Sequence, residues 1–350
     1  MTLISGGRTR SRNVALACAS LSLLAGCSGS GSGGLAPATV GTSALSSSPA
    51  GGSVRSERTV ASVADDAAPL TQVIVADSGL GNVSVFDAAG HLQTRLKKGL
   101  HAPGGLTTDP AGNLYVSNTQ AHNVLIYAQP YAEGTLKSTL DDAGEYPTDV
   151  AVSESGVVAA TNIQSQAGTG GNVAFYAKGA TTACASVSDP GWNGMQFGAF
   201  DASGNLFIVG INQSGDPIAG EISGGCSATS VVTLSAANPF TANLAGVQVV
   251  NGNILILDQD YNTFAPVIYT YAPPSKGSLG SPIATTALTA GIEMTGFAMT
   301  KDDKHLWIAH SDEDYGGIEY TYPAGKFVNS FNEPNLVTEA GIAVNPAARP

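Results

Sequence analysis

Charged side chains are scarce in this sequence. Asp, Glu, Lys and Arg together make up 12% of the 350 residues, whereas a helical protein would normally carry more Glu and Lys on its surface. Glycine, by contrast, occurs 43 times. Low charge combined with many Gly, Ser, Thr and Asn residues is typical of a β-rich protein with many turns, and it favours an extracytoplasmic location.

Positive charge is the scarcer sign, and several enzyme signatures are missing. Lys and Arg number 15 against 27 Asp and Glu, giving a formal charge of −12. An acidic surface repels phosphates, so nucleic acid is not an expected partner. The chain has no G-x-S-x-G elbow, H-E-x-x-H helix or P-loop. Residues 29–34 match G-x-G-x-x-G, but no predicted strand precedes them and no helix follows, so they do not indicate dinucleotide binding.

The apolar run nearest the N terminus is too short to cross a membrane. Three arginines precede this run, which covers residues 14–25. That order predicts an export signal over residues 1–26. Positions 24–27 read Leu-Ala-Gly-Cys, which resembles the lipobox of bacterial lipoproteins. The resemblance implies lipidation of Cys27 and a lipid-anchored protein of the bacterial cell envelope, whose membrane contact is the anchor alone; the alternative is an ordinary secretory signal.

Residues 27–68 contain mainly Ser, Gly, Ala, Thr and Pro. Such a composition cannot bury an apolar core, so we expect a disordered tether. Beyond it, Cys184 and Cys226 are the only cysteines. Both precede predicted outer strands of successive repeats, whose equivalent positions should lie far apart, whereas a disulfide requires Cα atoms within about 7 Å. In an oxidising compartment the sequence leaves open both a bridge and two free thiols.

One pattern of short strands recurs about six times over residues 69–350. In residues 104–127, three apolar runs are separated by the turn Asp109-Pro-Ala-Gly-Asn113 and a polar break. The apolar cores of the second strands begin at Val73, Leu114, Val157, Leu206, Ile254 and Leu306. A later column carries the aromatic residues Phe86, Tyr127, Tyr176, Tyr271 and Tyr322. The spacing of roughly 40 to 50 residues is that of a four-stranded propeller blade.

The two ends of the repeat region complement each other. The unit at Val73 lacks a preceding first strand, while residues 340–347 match a first strand and its turn. We therefore predict an all-β fold: a six-bladed β-propeller of four-stranded antiparallel blades, with the C-terminal strand closing the first blade. The units at Val73 and Gly104 resemble NHL-repeat six-bladed β-propellers. That wider group includes binding modules, calcium-dependent lactonases and lyases, but none of their catalytic residues can be placed on this sequence.

Polar residues close the second strand of five repeats, and we call this set the polar ring: Asp77, Asn118, Asn162, Asp258 and His310. The ring either surrounds a ligand or stabilises turns through side-chain hydrogen bonds to the backbone. Two of the loops that follow are acidic and contain Asp258, Asp260, Asn262, Asp312 and Asp314. Closely spaced oxygen ligands suit Ca²⁺, the candidate cofactor; the alternative is two solvated acidic loops on an acidic protein.

A second candidate set lies near the start of the first strands: His101, Glu145, Asp149, Gln196, Glu293 and Glu339. Acids with a His could support metal-assisted or general acid/base hydrolysis, or simply line a water-filled channel. No complete catalytic constellation is recognisable. The leading hypothesis is therefore a non-enzymatic module that binds an envelope protein or a small ligand. The alternative is a metal-dependent hydrolase or lactonase with its site at the channel mouth.

Overall fold

The computed structural model describes residues 71–237, 240, 243–259, 265–289, 294–310, 316–332, 336 and 338–346, with only the backbone described at Asn243, His310 and Glu339. The predicted signal, Cys27 and the predicted tether lie outside these residues. Within them, helix is limited to the 3-10 turns Thr119–Ala121 and Gly225–Ser227, and no helix is long and apolar enough to span a membrane.

Short strands account for most of the described chain. In chain order they are β1 Gln72–Asp77, β2 Asn82–Asp87, β3 Leu92–Leu96, β4 Pro103–Thr108, β5 Leu114–Asn118, β6 Asn123–Tyr127, β7 Leu136–Asp141, β8 Glu145–Val152, β9 Val158–Ser165, β10 Asn172–Tyr176, β11 Ala185–Ser188, β12 Trp192–Phe200, β13 Leu206–Asn212, β14 Pro217–Ile222, β15 Val232–Ala236, β16 Asn243–Val250, β17 Asn253–Gln259, β18 Pro266–Tyr271, β19 Ser278–Gly280, β20 Ala284–Ala287, β21 Met294–Met299, β22 His305–His310, β23 Gly316–Thr321, β24 Phe327–Asn332 and β25 Glu339–Asn345.

These strands form six sheets, each an antiparallel meander. Blade 1 has the order β25-β1-β2-β3, blade 2 β4 to β7, blade 3 β8 to β11, blade 4 β12 to β15, blade 5 β16-β17-β18-β20 and blade 6 β21 to β24. β25 pairs with β1 from Gln72 opposite Asn345 to Asp77 opposite Glu339. The predicted fold is confirmed: a six-bladed β-propeller in which the C-terminal strand closes the first blade and removes its open edge.

The apolar core lies between neighbouring blades. Ile74 and Val83 of blade 1, for example, pack with Leu106 and Leu114 of blade 2 in one buried cluster. Five further clusters join the remaining pairs of neighbours around the ring, including blade 6 with blade 1. Burial of each large apolar side chain contributes roughly 1.5–3 kcal/mol, so every blade depends on both of its neighbours.

Two details depart from the predicted repeat. The connection between β18 and β20 adds β19 to the edge of blade 4, where it pairs in parallel with β15. In blade 6 the buried aromatic residue of the third strand is Tyr320, opposite Leu306, rather than the predicted Tyr322. The strand is displaced by two residues, which leaves the same face inward and is invisible in an alternating pattern.

Cys184 and Cys226 form a disulfide with their Cα atoms 5.2 Å apart. Cys226 lies in the 3-10 turn Gly225–Ser227 rather than on an outer strand. The residues after this turn, Ala228 and Val231, pack into the apolar cluster shared with blade 3. The non-repeating loop thus brings the two cysteines together, so the expected distance between equivalent blade positions does not apply.

Candidate functional site

The innermost strands surround the propeller axis and define two faces. Because every blade repeats the same meander, these strands begin on one face, here called the upper face, and end on the other, the lower face. Register shifts occur near the start of these strands, for example between Pro147 and Asp149 and between Leu244 and Gly246. Such bulges re-aim side chains around the axis.

A cavity of about 340 Å³ opens at the lower face. Every blade contributes residues to its wall, among them Asn345 of blade 1, Thr108 of blade 2, Asp149 of blade 3, Phe200 of blade 4, Gln248 of blade 5 and Lys301 of blade 6. The cavity therefore lies on the propeller axis. We had predicted a site around the upper mouth, whose loops in blades 5 and 6 fall largely outside the described residues.

Asp149 supplies a half-buried carboxyl group to the cavity wall. Its Oδ2 accepts a hydrogen bond from the Gly198 N–H at 3.0 Å, and Oδ1 lies directly against Gly105. Burial raises the pKa of this carboxyl to about 7, although the hydrogen bond from Gly198 opposes the shift. Asp149 can therefore exchange a proton near neutral pH or face a donor group of a ligand.

Three other blades carry glycine where blade 3 carries Asp149. The residue before a polar-ring position pairs with a residue of the innermost strand. In blades 1, 5 and 6 the pairs are Ala76–Gly341, Leu257–Gly246 and Ala309–Gly296. In blade 3 the corresponding pair is Thr161–Asp149. The glycines allow close backbone approach: a Cβ on Gly341 would lie 2.8 Å from the Cα of Gly105. Asp149 thus projects a carboxylate at a level where the described glycines of the other blades project nothing.

The other charged residues of the cavity have different roles. The carboxylate of Asp109 accepts hydrogen bonds from the N–H groups of Ala111 and Asn113 and from the Tyr115 hydroxyl, so it holds the turn after β4. Glu154 and Lys301 are exposed at the rim. These two can contact a ligand without breaking the turn.

Polar-ring residues with described side chains are buried. Asp77 Oδ1 accepts the N–H groups of Leu80 and Thr338, and Asn118 Oδ1 accepts the N–H of His101 at 2.6 Å. Asp258 is completely buried as well. At Asp77 and Asn118 these contacts are those of loop stabilisation.

The remaining predicted residues are distributed as follows. His101 is exposed, while Glu145 and Gln196 are half-buried and, like His101, do not line the axial cavity. For Glu339 only the backbone pairing with Asp77 is described. The residues outside the described chain are Asp260, Asn262, Glu293, Asp312 and Asp314. Among the described residues, no group of three or more His, Cys, Asp and Glu side chains is placed to hold a metal ion.

A polar group on the upper side of blade 3 was missed in part. We call it the blade-3 cluster: Asp142, Glu145, Asn162 and Asn172. The Asn162 amide donates to Asn172 Oδ1 at 2.9 Å, and the Tyr176 hydroxyl donates to Asp142 Oδ1 at 3.1 Å. Burial raises the pKa of Asp142 and that of Glu145, and the nearby Asp142 carboxylate adds to the shift at Glu145. Asp142 follows an outer strand, outside the positions that the repeat pattern marked.

No family profile and no curated protein matches the chain. Among solved structures, a chain of a nidogen/laminin complex superposes with a TM-score of 0.59 at 14% identity, covering 78% of this chain and 98% of that one. A protein of unknown function from Bacteroides caccae gives 0.55 at 11% identity, covering 79% and 98%. Kuenenia stuttgartiensis hydrazine synthase gives 0.51 at 14% identity, covering 71% and 72%. At such identities the likeness shows the fold alone.

Proposed function

We propose that this chain is an extracytoplasmic, lipid-anchored propeller of the NHL-repeat type that binds a small polar ligand in its axial cavity. The cavity carries this proposal, because its volume of about 340 Å³ falls within the range of small-molecule sites. Lipidation at Cys27 would fix the chain to the cell envelope. The predicted tether over residues 27–68 would link this anchor to the propeller.

The cavity wall indicates the chemistry of the ligand. Asp149 presents a carboxyl group at the inner end, and Lys301 presents an ammonium group at the rim. Leu106 and Phe200 supply apolar surface between them. A compact molecule with a hydrogen-bond donor or cation at one end and an acceptor at the other would fit this arrangement, such as an amino acid or an amino sugar.

Thermal unfolding of the purified chain with a panel of amino acids, amines and sugars tests this function. A ligand that binds the folded state should raise the melting temperature in a saturable way. Asp149→Asn should weaken ligand binding at least about tenfold, because the amide lacks the negative charge of the carboxylate. The amide oxygen still accepts the hydrogen bond from the Gly198 N–H. Asp189→Asn is the matched control, since Asp189 lies outside the cavity and its contact with Gly191 survives. A shift untouched by Asp149→Asn would refute the axial site.

A metal-dependent hydrolase or lactonase is the second candidate. The observation that favours it is the pKa of about 7 at Asp149, because a general acid or base works best near the ambient pH. Turnover across a lactone and ester panel with Ca²⁺, Zn²⁺ or Mn²⁺, abolished by Asp149→Asn, would support catalysis. Ligand binding without turnover would leave the binding module.

A further inference from the structure

Blades 2 and 3 begin with loops of equal length and opposite charge. Residues 96–103 read LKKGLHAP, and residues 140–147 read LDDAGEYP. Leu96 and Leu140 hold equivalent outer-strand positions, opposite Val83 and Val124, while Pro103 and Pro147 face Asn118 and Asn162. Lys98 and His101 of the first loop therefore correspond to Asp142 and Glu145 of the second.

In blade 2 the polar-ring residue, Asn118, makes all its hydrogen bonds to neighbouring residues of the same chain. Asn118 Oδ1 accepts the N–H of His101 at 2.6 Å. Its amide nitrogen donates to the Gly99 carbonyl at 2.8 Å and to Asn123 Oδ1 at 3.0 Å. This side chain has an internal purpose that requires no ligand.

In blade 3 the equivalent oxygen has no donor. Glu145 takes the place of His101, but its N–H bonds to the Asp142 carbonyl instead of reaching Asn162. Asn162 is 0% exposed and its Oδ1 has no hydrogen-bond partner. Oδ2 of Asp142, which is 5% exposed, and Oε2 of Glu145 are likewise buried and unpartnered. An unsatisfied buried polar atom costs about 1–3 kcal/mol, so three in one cluster need an explanation.

Among the described residues, no lysine or arginine forms an ion pair with this cluster. The described ion pairs involve Asp87 and Glu319, not Asp142 or Glu145. His122 lies beside the cluster, with Nδ1 hydrogen-bonded to the Glu145 carbonyl and Nε2 to the Gln166 amide, so both ring nitrogens are already engaged. The carboxyl groups of Asp142 and Glu145 and the amide oxygen of Asn162 therefore have no ion pair with a described Lys or Arg side chain.

We propose that Asp142, Glu145 and Asn162 form a binding site for a divalent cation, selective for Ca²⁺, at the junction of blades 2 and 3. Carboxylate and amide oxygens are ligands that Ca²⁺ prefers, and a cation would satisfy all three unpartnered atoms at once. Glu145 is half-buried, so solvent can complete the coordination of the ion. Ca²⁺ tolerates such an irregular set, whereas Mg²⁺ demands near-ideal octahedral geometry.

Calorimetric titration of the purified, EDTA-treated chain with Ca²⁺ and, separately, Mg²⁺ tests the site. We expect Ca²⁺ binding with a dissociation constant in or below the millimolar range typical of extracellular modules, and weaker binding of Mg²⁺. Asp142→Asn and Glu145→Gln should each remove one equivalent of bound Ca²⁺ or weaken it at least about tenfold. Asp189→Asn, a control between β11 and β12 and outside this cluster, should retain this equivalent.

Three results would overturn the site. The first is no Ca²⁺ binding by the unaltered chain. The second is an equivalent that survives both Asp142→Asn and Glu145→Gln but disappears in Asp258→Asn, because the ion would then bind at Asp258 in blade 5. The third is that Asp142→Asn and Glu145→Gln raise the stability of the protein equally in EDTA, and that Ca²⁺ changes the stability of neither variant nor of the unaltered chain. That result would identify a pair of carboxyl groups that share a proton. Glu145→Gln affects a half-buried residue, so it keeps the test decisive if Asp142→Asn does not fold.

Discussion

Blade 3 differs from the blades compared with it in the side chains that it carries on the same backbone arrangement. At the axial cavity it presents Asp149 where blades 1, 5 and 6 have Gly341, Gly246 and Gly296. At its upper loop it presents Asp142 where blade 2 has Lys98. The strands of blade 3 pair in the same antiparallel order as those of the other blades. A repeat that keeps its architecture but gains acids in buried and half-buried positions has acquired groups that folding alone does not require. Those groups mark the candidate sites.

The comparison presumes that all blades belong to one closed ring, and removing β25 would break it. Deletion from Gly341 onward removes Ile342, Ala343 and Val344 from the core and leaves β1 with an open edge. The loss should exceed the whole stability of a typical domain, about 5–15 kcal/mol, so cooperative unfolding should vanish. Calorimetry and near-ultraviolet circular dichroism measure this directly. A truncated chain that melts like the intact one would disprove closure.

The close packing of blades 2 and 3 can be tested at Gly105, which lies beside Asp149. A Cβ at this position would overlap Asp149 Oδ1 and approach its Cα to 2.9 Å. Gly105→Ala should therefore lower the free energy of unfolding by about 1–3 kcal/mol in denaturant titrations. Gly134→Ala is the matched control, because nothing lies within 4 Å of its added methyl group. If the two variants were equally stable, the close approach of blades 2 and 3 would be wrong.

The contrast between blades also shows what sequence can predict. Alternating apolar residues and Gly-Asn turns were sufficient for the strands and for closure, because each signal is local and repeated. The Cys184–Cys226 bridge depends on a loop that belongs to no repeat, so blade equivalence argued against it. The lower cavity depends on which side chains meet at the axis, and a one-residue change of register alters that outcome. The sequence pattern did not mark Asp142 because this residue follows an outer strand, away from the repeated polar positions.

Stability should depend on pH through Asp149 in blade 3. Its pKa is raised from the ordinary value near 4 to about 7, so the folded state holds the proton more tightly than the unfolded chain. The resulting stability is complete below about pH 4 and is lost as the pH rises through about 7. Asp149→Asn should remove this dependence and raise stability at pH 8 by about 1–2 kcal/mol, a value reduced by partial exposure. Equal pH profiles for both proteins would exclude a raised pKa.

The smallest effect should distinguish Asn118 from Asn162, which occupy the same polar-ring position. Asn118→Ala removes the acceptor of the His101 N–H and two donated hydrogen bonds, so it should cost about 1–3 kcal/mol with or without Ca²⁺. Asn162→Ala removes the hydrogen bond to Asn172 and an interaction with the Asp142 carboxylate, together with an oxygen that has no partner. Its cost in EDTA should stay below about 1 kcal/mol and grow when Ca²⁺ is added. Denaturant titrations of both variants, each with EDTA and with Ca²⁺, measure the difference. Equal costs that do not respond to Ca²⁺ would show that both asparagines only stabilise loops, and blade 3 would then differ from blade 2 in charge alone.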